Sequence, residues 1–461
     1  MNQEENTLKH QDGGATRREF LKKSTLAAAA VAASANIFKT PVYGQNQAPA
    51  PGSVVGANNR LQVAYIGTGA QGMAHVDLQN KNAAANNIVQ VAACDLSEHR
   101  QQDAKAVIGA NCKLYKNYEE LLANKDIDAV TIATVDHWHC KTAIAALEAG
   151  KHIYVEKPMT RYLEEAFALH DAVKKTGKIL QVGSQGCSAG AWHKAAELIL
   201  ANKIGTPVWA QGYYCRDNPK GEWNYPIQDW CKPEDLDWDK WQAPVKDKKA
   251  FDADAYFRWR KYYPYCAGPL GDLVPHRLLP IMFATGKPEF PKRVTCLGSK
   301  NCHTDKNTPG TPERDCPEHV ELLAEFPSGL IIMIVASTVA ARSPGFVIYG
   351  HEASLEIGSS GERVQLTPEK EFSEDIDLQT FDSLAPEDIA THEKNWFDCI
   401  RSNTQPNAGI DLAVRAQTVI CLAEMSNRLN MTCLFDEATH KVSTMDGKDV
   451  AAITYGTLAR S

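Results

Sequence analysis

Apolar and polar residues along residues 59–183 follow a pattern that predicts strands and helices in strict succession. Short apolar runs rich in β-branched residues predict the strands, and segments with helical periodicity predict the helices between them. Strands are expected at Leu61–Ile66, Val89–Cys94, Ala129–Ala133, His152–Val155 and Ile179–Gly183. Helices are expected at Ala70–Gln79, His99–Ile108, Tyr118–Leu122, Cys140–Ala149 and Leu163–Thr176. This succession predicts an α/β domain with a parallel, doubly wound sheet, whose ligands bind past the carboxyl ends of the strands.

Residues 184–430 show a different pattern, in which several strands follow one another directly. A helix is expected at Trp192–Leu200, and an aromatic stretch without clear periodicity then extends to about Pro264. Strands are expected at Val294–Leu297, Val320–Phe326, Leu330–Val335, Phe346–Gly350 and Ala353–Ile357, and helices at His392–Arg401 and Asp411–Asn427. Strands in succession with turn residues between them predict a second domain with an antiparallel sheet. Residues 431–461 are interpreted as a C-terminal tail.

The first predicted strand leads directly into Gly67-x-Gly69-x-x-Gly72, and a predicted helix follows. In a dinucleotide site the first glycine permits a tight turn, the second lets the backbone approach a pyrophosphate, and the third lets the helix pack on the strand. Asp95 closes the next strand, where a carboxylate binds the ribose diol of NAD and repels the 2′-phosphate of NADP. Arg100 lies nearby and keeps NADP as an alternative. A glycine-rich turn without a ligand is the competing interpretation.

Composition and charge narrow the class of protein. The chain has 461 residues, of which 44% are hydrophobic and 23% charged, which is enough for two globular domains with real cores. The formal net charge is −7, and an acidic chain without a basic run is a poor candidate for nucleic-acid binding. No stretch of the mature chain is long and apolar enough to predict a membrane span.

The N-terminus carries a targeting pattern. Thr16-Arg-Arg-Glu-Phe-Leu-Lys22 is a twin-arginine motif, Ser24–Ala35 is weakly apolar, and Ala33-Ser-Ala35 fits cleavage after small residues. We therefore expect a signal peptide over residues 1–35, a linker over residues 36–58, and a periplasmic protein exported in the folded state with its cofactor loaded. A basic amphipathic N-terminal helix is the alternative.

The thirteen cysteines are expected to serve mainly as small core residues. One cluster, Cys296, Cys302-His303 and Cys316-x-x-His319, lies in a loop rich in Thr, Asn, Pro and Gly. A metal or a disulfide is an open alternative there. The spacing matches no tight zinc template, so we expect no metal.

Three short segments carry candidate chemistry. Lys157 follows the strand His152–Val155, and we expect partial burial to lower its pKa toward the range of a general base. Asp272 and His276 are spaced i, i+4 and share one face if their segment is helical, which suits an acid/base pair. The third segment, Asp136-His137-Trp138-His139, follows a strand on the cofactor side. Each segment also has a non-functional interpretation. Lys157 could be an ordinary surface lysine in a turn, and the histidines could simply pack in the core.

Aromatic residues concentrate in one region. Six of the nine tryptophans lie between residues 209 and 259, namely Trp209, Trp223, Trp230, Trp238, Trp241 and Trp259. Flat rings beside polar groups suit the apolar faces of sugar rings. Packing of an insertion or of a subunit interface is an equally weighted interpretation.

Together these motifs resemble the Gfo/Idh/MocA family, the glucose–fructose oxidoreductase and inositol dehydrogenase group. The resemblance covers roughly Arg60 to Leu429, and its most specific part is Ala149-Gly-Lys-His-Ile-Tyr-Val-Glu-Lys-Pro158. Leu236–Trp241 and Phe257–Tyr262 are similar to the exported bacterial branch. Pro275 departs from the family pattern, because that position is often small.

The resemblance implies a fold, a set of site residues and partners. It implies an N-terminal Rossmann domain and a C-terminal α+β domain with an open, mainly antiparallel sheet, which often forms oligomer interfaces, so we expect a homo-oligomer. Lys157, Asp272 and His276 match the catalytic residues: His276, oriented by Asp272, would take the hydroxyl proton while Lys157 polarises the same oxygen. Residues expected to contact the cofactor are Gly67, Thr68, Gly69, Gln71, Gly72, Asp95, Asp136, His137, His139, Glu156 and Lys157.

The leading functional hypothesis is an NAD(P)-dependent oxidoreductase that transfers hydride between a sugar or cyclitol carbon and a tightly held nicotinamide cofactor. The alternative is an NAD-dependent glycoside hydrolase that works by transient oxidation and elimination, with no net redox change. A non-catalytic protein that binds carbohydrate or nucleotide is a third hypothesis. The presence of Lys157, Asp272 and His276 argues against it.

Overall fold

The structure, a computed structural model, describes residues 60–300, 302 and 313–457. The predicted signal peptide (residues 1–35) and linker (residues 36–58) lie outside these residues, as does His303 of the predicted cysteine–histidine cluster. No helix among the described residues is long and apolar enough to cross a membrane.

The first sheet has six parallel strands in the order β3-β2-β1-β4-β5-β6. Its strands are β1 Leu61–Ile66, β2 Ile88–Cys94, β3 Lys113–Tyr115, β4 Ala129–Ile132, β5 His152–Val155 and β6 Leu180–Val182. Its helices are α1 Ala70–Lys81, α2 Glu98–Ile108, α3 Tyr118–Ala123, α4 Asp136–Glu148 and α5 Leu163–Thr176. The predicted parallel, doubly wound fold is confirmed. The strand order reverses between β1 and β4, and this reversal opens a crevice at the carboxyl ends of the strands.

Helix α4 begins four residues earlier than expected. The sequence predicts a start at Cys140, whereas the structure has Asp136 as the first helical residue and Val135 in extended conformation before it. Asp136, His137 and His139 therefore lie in the first turn of a helix that follows β4, and not in a loop. This places the N-terminus of α4 in the crevice.

The second sheet has eleven strands in the order β14-β13-β12-β11-β7-β10-β9-β8-β15-β16-β17. The strands are β7 Pro207–Cys215, β8 Arg293–Ser299, β9 His319–Glu325, β10 Ile331–Ser337, β11 Phe346–Gly350, β12 Ala353–Ile357, β13 Val364–Pro368, β14 Gln379–Phe381, β15 Cys433–Asp436, β16 Lys441–Ser443 and β17 Asp449–Val450. Only β7 and β10 pair in parallel within this described sheet. The predicted open, mainly antiparallel sheet is confirmed.

Seven helices accompany the second sheet in the described part of the chain: α6 Gly190–Leu200, α7 Trp238–Gln242, α8 Ala253–Phe257, α9 Pro269–Asp272, α10 Pro275–Ala284, α11 Ile389–Ser402 and α12 Ile410–Leu429. Helix α10 packs on β7 and helix α12 packs on β8. Single turns of 3₁₀ helix occur at Gln185–Ser188, Pro233–Asp235, Trp259–Lys261 and Lys370–Phe372.

Three parts of the second sheet are absent from the sequence prediction, namely β7, the edge formed by β13 and β14, and the edge formed by β15, β16 and β17. Strand β7 lies in the middle of the sheet, but its aromatic sequence does not alternate clearly between apolar and polar residues. Strands β15, β16 and β17 fall in the region interpreted as a tail, yet they extend the sheet beyond β8. Strands β15, β16 and β17 are short, and the pairing of β15 with β8 joins residues that lie far apart in the sequence, so local patterns do not reveal this edge.

The two sheets share one hydrophobic core. A single cluster of buried apolar side chains extends from β1 and β4 through α5 and α12 to β8 and β10. A buried ion pair adds a polar link, because Arg161 before α5 donates to Glu424 on α12 at 2.8 Å. The described parts of the two sheets are therefore joined by buried contacts and not only by chain connections.

Candidate active site

A cavity of about 860 Å³ lies at the carboxyl ends of β1, β4 and β5. Its lining includes the glycine loop Gly67–Gly69 with Asp95, and also Lys157, Asp272 and His276. The first sheet supplies the glycine loop and the lysine, whereas helices of the second part supply Asp272 and His276. The predicted cofactor and catalytic segments therefore line one continuous space.

The glycine loop has the close contacts that its motif predicts. A Cβ on Gly72 would lie 2.0 Å from the Gly67 carbonyl oxygen, and Gly67 itself has a φ of +85°. Near Gly69, by contrast, the nearest atom is the mobile end of the Arg100 side chain, 3.1 Å from an added Cβ. No side chain caps the N-terminus of α1. The first N–H groups of α1 thus face a space that an anionic pyrophosphate fits.

Asp95 is held in place by backbone donors. Its Oδ2 accepts a hydrogen bond from the Thr68 N–H at 2.9 Å, and its Oδ1 accepts one from the Ser97 N–H at 2.9 Å. The Thr68 hydroxyl donates to the Arg100 carbonyl at 3.1 Å, which ties the loop to α2. A fixed carboxylate next to the glycine loop fits the ribose diol of NAD.

Lys157 forms a largely buried ion pair with Asp272, in which each side chain is 11% exposed. Its Nζ lies 2.8 Å from Asp272 Oδ1 and 2.9 Å from the Asp272 carbonyl oxygen. Burial alone would lower the pKa of Lys157, but the negative charges of Asp272 and Glu156 outweigh burial and raise it above its usual value. The prediction that burial lowers the pKa of Lys157 toward a general-base range is therefore wrong. Lys157 is a cationic hydrogen-bond donor.

Asp272 has further partners that no sequence motif indicates. Arg260 Nε donates to Asp272 Oδ1 at 2.9 Å, and Trp223 Nε1 donates to Oδ2 at 3.2 Å. Burial would raise the pKa of Asp272, but Lys157 and Arg260 hold it well below its usual range. Arg260 and Trp223 come from the aromatic stretch, in which spacing alone does not distinguish site residues from packing residues.

Asp272 does not orient His276, so the predicted pairing is wrong. Helix α9 ends at Asp272 and α10 begins at Pro275, so the two residues do not lie on one continuous helix face. Among the described residues neither ring nitrogen of His276 has a hydrogen-bond partner, and Nδ1 is buried. Burial, assisted by the positive charge of Lys157, lowers the pKa of His276 to about 3. The imidazole is therefore neutral and can accept a proton.

The predicted segment Asp136–His139 divides between the cavity and the core. Asp136 lines the cavity, and its buried Oδ2 has no hydrogen-bond partner among the described residues. Burial raises the pKa of Asp136 above its usual value. His139 also lines the cavity, but its ring nitrogens face the carbonyls of Pro158 at 2.7 Å and Thr134 at 3.1 Å. His137 does not line the cavity, which corrects its expected contact with the cofactor. It is buried with Nε2 2.8 Å from the Trp241 carbonyl.

Glu156 lies beside Lys157 and binds a histidine that no sequence motif singled out. Its Oε1 is 2.9 Å from His75 Nε2 and 3.3 Å from Gln71 Nε2, and its Oε2 accepts the Lys157 backbone N–H at 3.1 Å. His75 Nδ1 lies 2.6 Å from Glu393 Oε1. His75 lies three residues after Gly72 on α1. A single histidine on a helix matches no motif, so the sequence does not indicate that His75 belongs to the site. Glu393 is remote in the chain.

The tryptophans have mixed roles. Trp238 and Trp241 are buried in an apolar cluster and stack at 4.7 Å, which is a packing role. Trp230 and Trp259 line the cavity, where they can contact a ligand. Trp209 lies on the second sheet and stacks on Tyr349 at 4.0 Å. Trp241 also lines the cavity and Trp259 also belongs to the apolar cluster, so the two sets of rings overlap. Packing of this stretch is confirmed, whereas contact with a sugar ring stays a prediction.

The cysteines form no recognisable centre in the described part of the chain. All thirteen are free thiols, and most of them are buried. Cys296 and Cys316 are buried, whereas Cys302 is exposed. Within residues 60–300, 302 and 313–457 no three His, Cys, Asp or Glu side chains are arranged so that they could hold a metal ion.

Two family models match the chain. Residues 61–184 match the model of the "Oxidoreductase family, NAD-binding Rossmann fold" and residues 242–356 match the "GFO/IDH/MocA C-terminal domain". Together they cover about half of the chain.

Known proteins show the same similarity. The chain is 33% identical to scyllo-inositol 2-dehydrogenase (NAD(+)) of Bacillus subtilis over 155 residues, which are 34% of this chain and 44% of that protein. It is 32% identical to a glycosyl hydrolase family 109 protein of Shewanella baltica over 176 residues, 35% of this chain and 38% of that protein. The matched segment thus spans less than half the length of these curated relatives.

A solved structure extends the similarity of fold over most of the chain. It is a levoglucosan dehydrogenase in complex with NADH and levoglucosan, with a TM-score of 0.64 at 20% sequence identity. The match covers 81% of this chain and 98% of the levoglucosan dehydrogenase chain. At this identity the similarity establishes the fold alone.

The Asp272→Asn variant tests the electrostatic link to Lys157. Removing the carboxylate charge should lower the pKa of Lys157 and so increase its free-amine fraction. The rate at which an acylating reagent modifies Lys157 at pH 8 should rise about tenfold or more, as mass spectrometry of the Lys157 peptide would show. Asp411→Asn, which removes the partner of exposed Lys174, is the control and should leave Lys157 unchanged. An unchanged rate in Asp272→Asn would contradict the assignment.

Proposed function

This chain belongs to the GFO/IDH/MocA oxidoreductase family, and we propose that it is an NAD(P)-dependent enzyme that oxidises a hydroxyl-bearing carbon of a sugar or cyclitol. The family expected from the sequence is confirmed, and so is NAD as the cofactor class. When bound, the nicotinamide would supply the acceptor for the hydride that leaves the substrate carbon. One observation carries the proposal: a cationic lysine and a neutral histidine line the same cavity as the glycine loop.

Lys157 is suited to bind and polarise the substrate hydroxyl. An ammonium group has three N–H donors. Two of these donors are directed to Asp272, at its carboxylate and its carbonyl, which leaves a third for the oxygen of a substrate in the cavity. A fixed positive charge beside that oxygen stabilises the alkoxide character that develops as its proton leaves.

His276 is suited to take the hydroxyl proton. A neutral imidazole has one acceptor nitrogen, and no described residue competes for either nitrogen of His276. Asp272 contributes by holding Lys157 and Arg260 in place. The sequence predicts a different role for Asp272, which is to orient His276.

The cofactor would occupy the end of the cavity formed by the first sheet. The N–H groups at the start of α1 suit the pyrophosphate, with Gly69, Thr68 and Gln71 beside it and the end of the Arg100 side chain close to Gly69. Asp95 favours NAD. Because Arg100 lies nearby, NADP is the alternative result when the bound nucleotide is identified. Glu156 lies further along the same wall.

Aromatic side chains of the second part support tight retention of the nucleotide. Tyr225, Trp230 and Tyr256 line the same cavity as the glycine loop. Their segment is fastened to the first sheet's helices, because the Trp241 carbonyl accepts hydrogen bonds from Trp138 Nε1 at 2.9 Å and from His137 Nε2 at 2.8 Å. A wall that is anchored in this way would slow release of a bound nucleotide.

A second candidate function is NAD-dependent glycoside hydrolysis by transient oxidation and elimination. The similarity to the glycosyl hydrolase family 109 protein favours it. The same lysine and histidine would serve the first oxidation, and a retained cofactor suits a reaction with no net redox change.

One experiment distinguishes these functions. The purified full chain is denatured to release and identify its bound nucleotide, and the loaded protein is incubated with free sugars, myo-inositol and aryl glycosides. Oxidised sugar with a matching amount of reduced cofactor would support the dehydrogenase. Aryl release without net cofactor reduction would support the hydrolase, and aryl release that needs no nucleotide would contradict both.

The Lys157→Met variant tests the proposed role of the lysine. Turnover should fall by about 10²-fold or more, because the charge that stabilises the substrate oxygen is lost. Lys174→Met is the matched control, since Lys174 lies on α5 with its side chain about half exposed. Full turnover in Lys157→Met would remove Lys157 from the mechanism.

We further propose a homo-oligomer formed through the second sheet. Leu297, Leu323 and Ile331 lie on neighbouring strands with exposed fractions of 75%, 44% and 40%. These apolar side chains lie on a face that also carries Glu321 and Glu325, and a mixed face of this kind suits burial against a second copy. Light scattering should show a mass above that of one chain, and Leu323→Glu should reduce it. Leu378→Glu, at another exposed leucine, should not. A monomeric wild-type protein would contradict the proposal.

We also propose that the protein is exported through the twin-arginine route. It would then be a periplasmic member of the family's exported bacterial branch. Export is supported by Arg17-Arg18 and the small-residue segment that follows. Replacing both arginines with lysine should leave the unprocessed chain in the cytoplasmic fraction, whereas the wild-type chain should lose its N-terminal segment and fractionate with the periplasm. Cytoplasmic wild-type protein would contradict export.

A further inference from the structure

A buried ion cluster lies beneath the cavity, between three elements of the fold. His75 of α1 stands between Glu393 of α11, at 2.6 Å from Nδ1, and Glu156 at the end of β5, at 2.9 Å from Nε2. All three side chains are buried. Because both ring nitrogens face carboxylate oxygens, both must carry a proton to donate, so the ring is an imidazolium. Burial would lower the pKa of His75, but hydrogen bonds to Glu156 and Glu393 raise it to about 10.

The cluster continues directly to the proposed catalytic lysine. Glu156 is the residue before Lys157 and accepts its backbone N–H. Burial would raise the pKa of Glu156, but the hydrogen bond and charge of His75 lower it to about 2. A row of side chains with alternating charge results, which runs from α11 to the cavity: Glu393, His75, Glu156, Lys157, Asp272 and Arg260.

The carboxylates of the cluster cannot turn away from His75. Gln71 Nε2 donates to Glu156 Oε1 at 3.3 Å, and Gln79 Nε2 donates to Glu393 Oε1 at 2.8 Å. A Cβ added to Gly183 would lie 2.7 Å from Glu156 Oε1, so the backbone of Gly183 packs directly on that carboxylate. His75 therefore faces two fixed negative charges.

Apart from Lys157, the other titratable groups around the cluster are uncharged near neutral pH. Burial raises the pKa of Tyr65, on β1, and of Tyr154, on β5, well above their usual values. Burial lowers the pKa of His392, which lies on α11, to about 4. On the cavity side Glu156 faces Lys157 and neutral His276. On the side away from the cavity, His75 is thus the cation that compensates the negative charges of Glu156 and Glu393.

We propose that His75 is a positioning residue for Lys157: its positive charge keeps Glu156 ionised and fixed, and Glu156 in turn holds Lys157 cationic and in place. Without His75, Glu156 and Glu393 would face each other as like charges in a buried site, and one of them would take up a proton. Lys157 would then lose one of the two anions that stabilise its ammonium. The importance of this for catalysis rests on the proposed function, but the electrostatic link does not.

The test measures acylation of Lys157 at pH 8 in the full-length protein, which needs no turnover and so is independent of the proposed reaction. His75→Gln should raise the acylation rate several-fold, because Lys157 loses an anionic neighbour. His392→Gln is the matched control, since His392 is buried on α11 beside the same Tyr154 ring but bonds to Ser188 and Val182 instead. It should leave the rate unchanged.

Two further variants separate a positioning role from a loss of folding. Adding Glu393→Gln to His75→Gln removes the facing carboxylate, so the rate should return toward the wild-type value, whereas general loosening would increase it further. Glu156→Gln removes the same charge with His75 in place and should raise the rate as His75→Gln does, even if the His75 variant does not fold. A wild-type rate in both His75→Gln and Glu156→Gln, or no return in the double variant, would overturn the proposal.

Discussion

The ion pair between Lys157 and Asp272 is the contact on which the candidate site depends. It joins the end of β5 in the first sheet to α9 in the second part, 115 residues further along the chain. Two charges removed from water are stable only if each is fully partnered, and removing either one leaves an uncompensated buried charge. Arg260 and Trp223 complete the partners of Asp272, and Glu156 supports Lys157. The geometry of the cavity is therefore set by the requirement to satisfy these charges.

The aromatic region between β7 and α9 has a structural and a ligand-facing side. Its buried rings form an apolar cluster that packs against Leu96 and Val135 of the first part. Three rings of this cluster, Trp241, Tyr256 and Trp259, also line the cavity that contains the glycine loop. Because the packing side anchors the region, the cavity side forms a fixed wall, which is consistent with a nucleotide held through turnover.

The protonation states follow from burial and from partners acting together. Burial alone would favour the neutral form of both Lys157 and His276. Only His276 becomes neutral, because Lys157 contacts the Asp272 carboxylate and lies next to Glu156 in the chain. As a result, one cavity is lined by a cationic hydrogen-bond donor, Lys157, and by a neutral proton acceptor, His276. His75 shows the same principle, because two carboxylates overcome its complete burial.

The sequence by itself determined the features that depend on backbone geometry over a few residues. The alternation of strands and helices, the three glycines, Asp95 at a strand end and Lys157 after β5 all follow from local patterns. Tertiary structure decided which groups meet and which are charged: Asp272 binds Lys157 and not His276, His137 is buried away from the cavity, and His75 meets Glu393 across 318 residues of sequence. Electrostatic interactions act through space, so the ionisation of a buried group depends on partners that spacing along the chain does not identify.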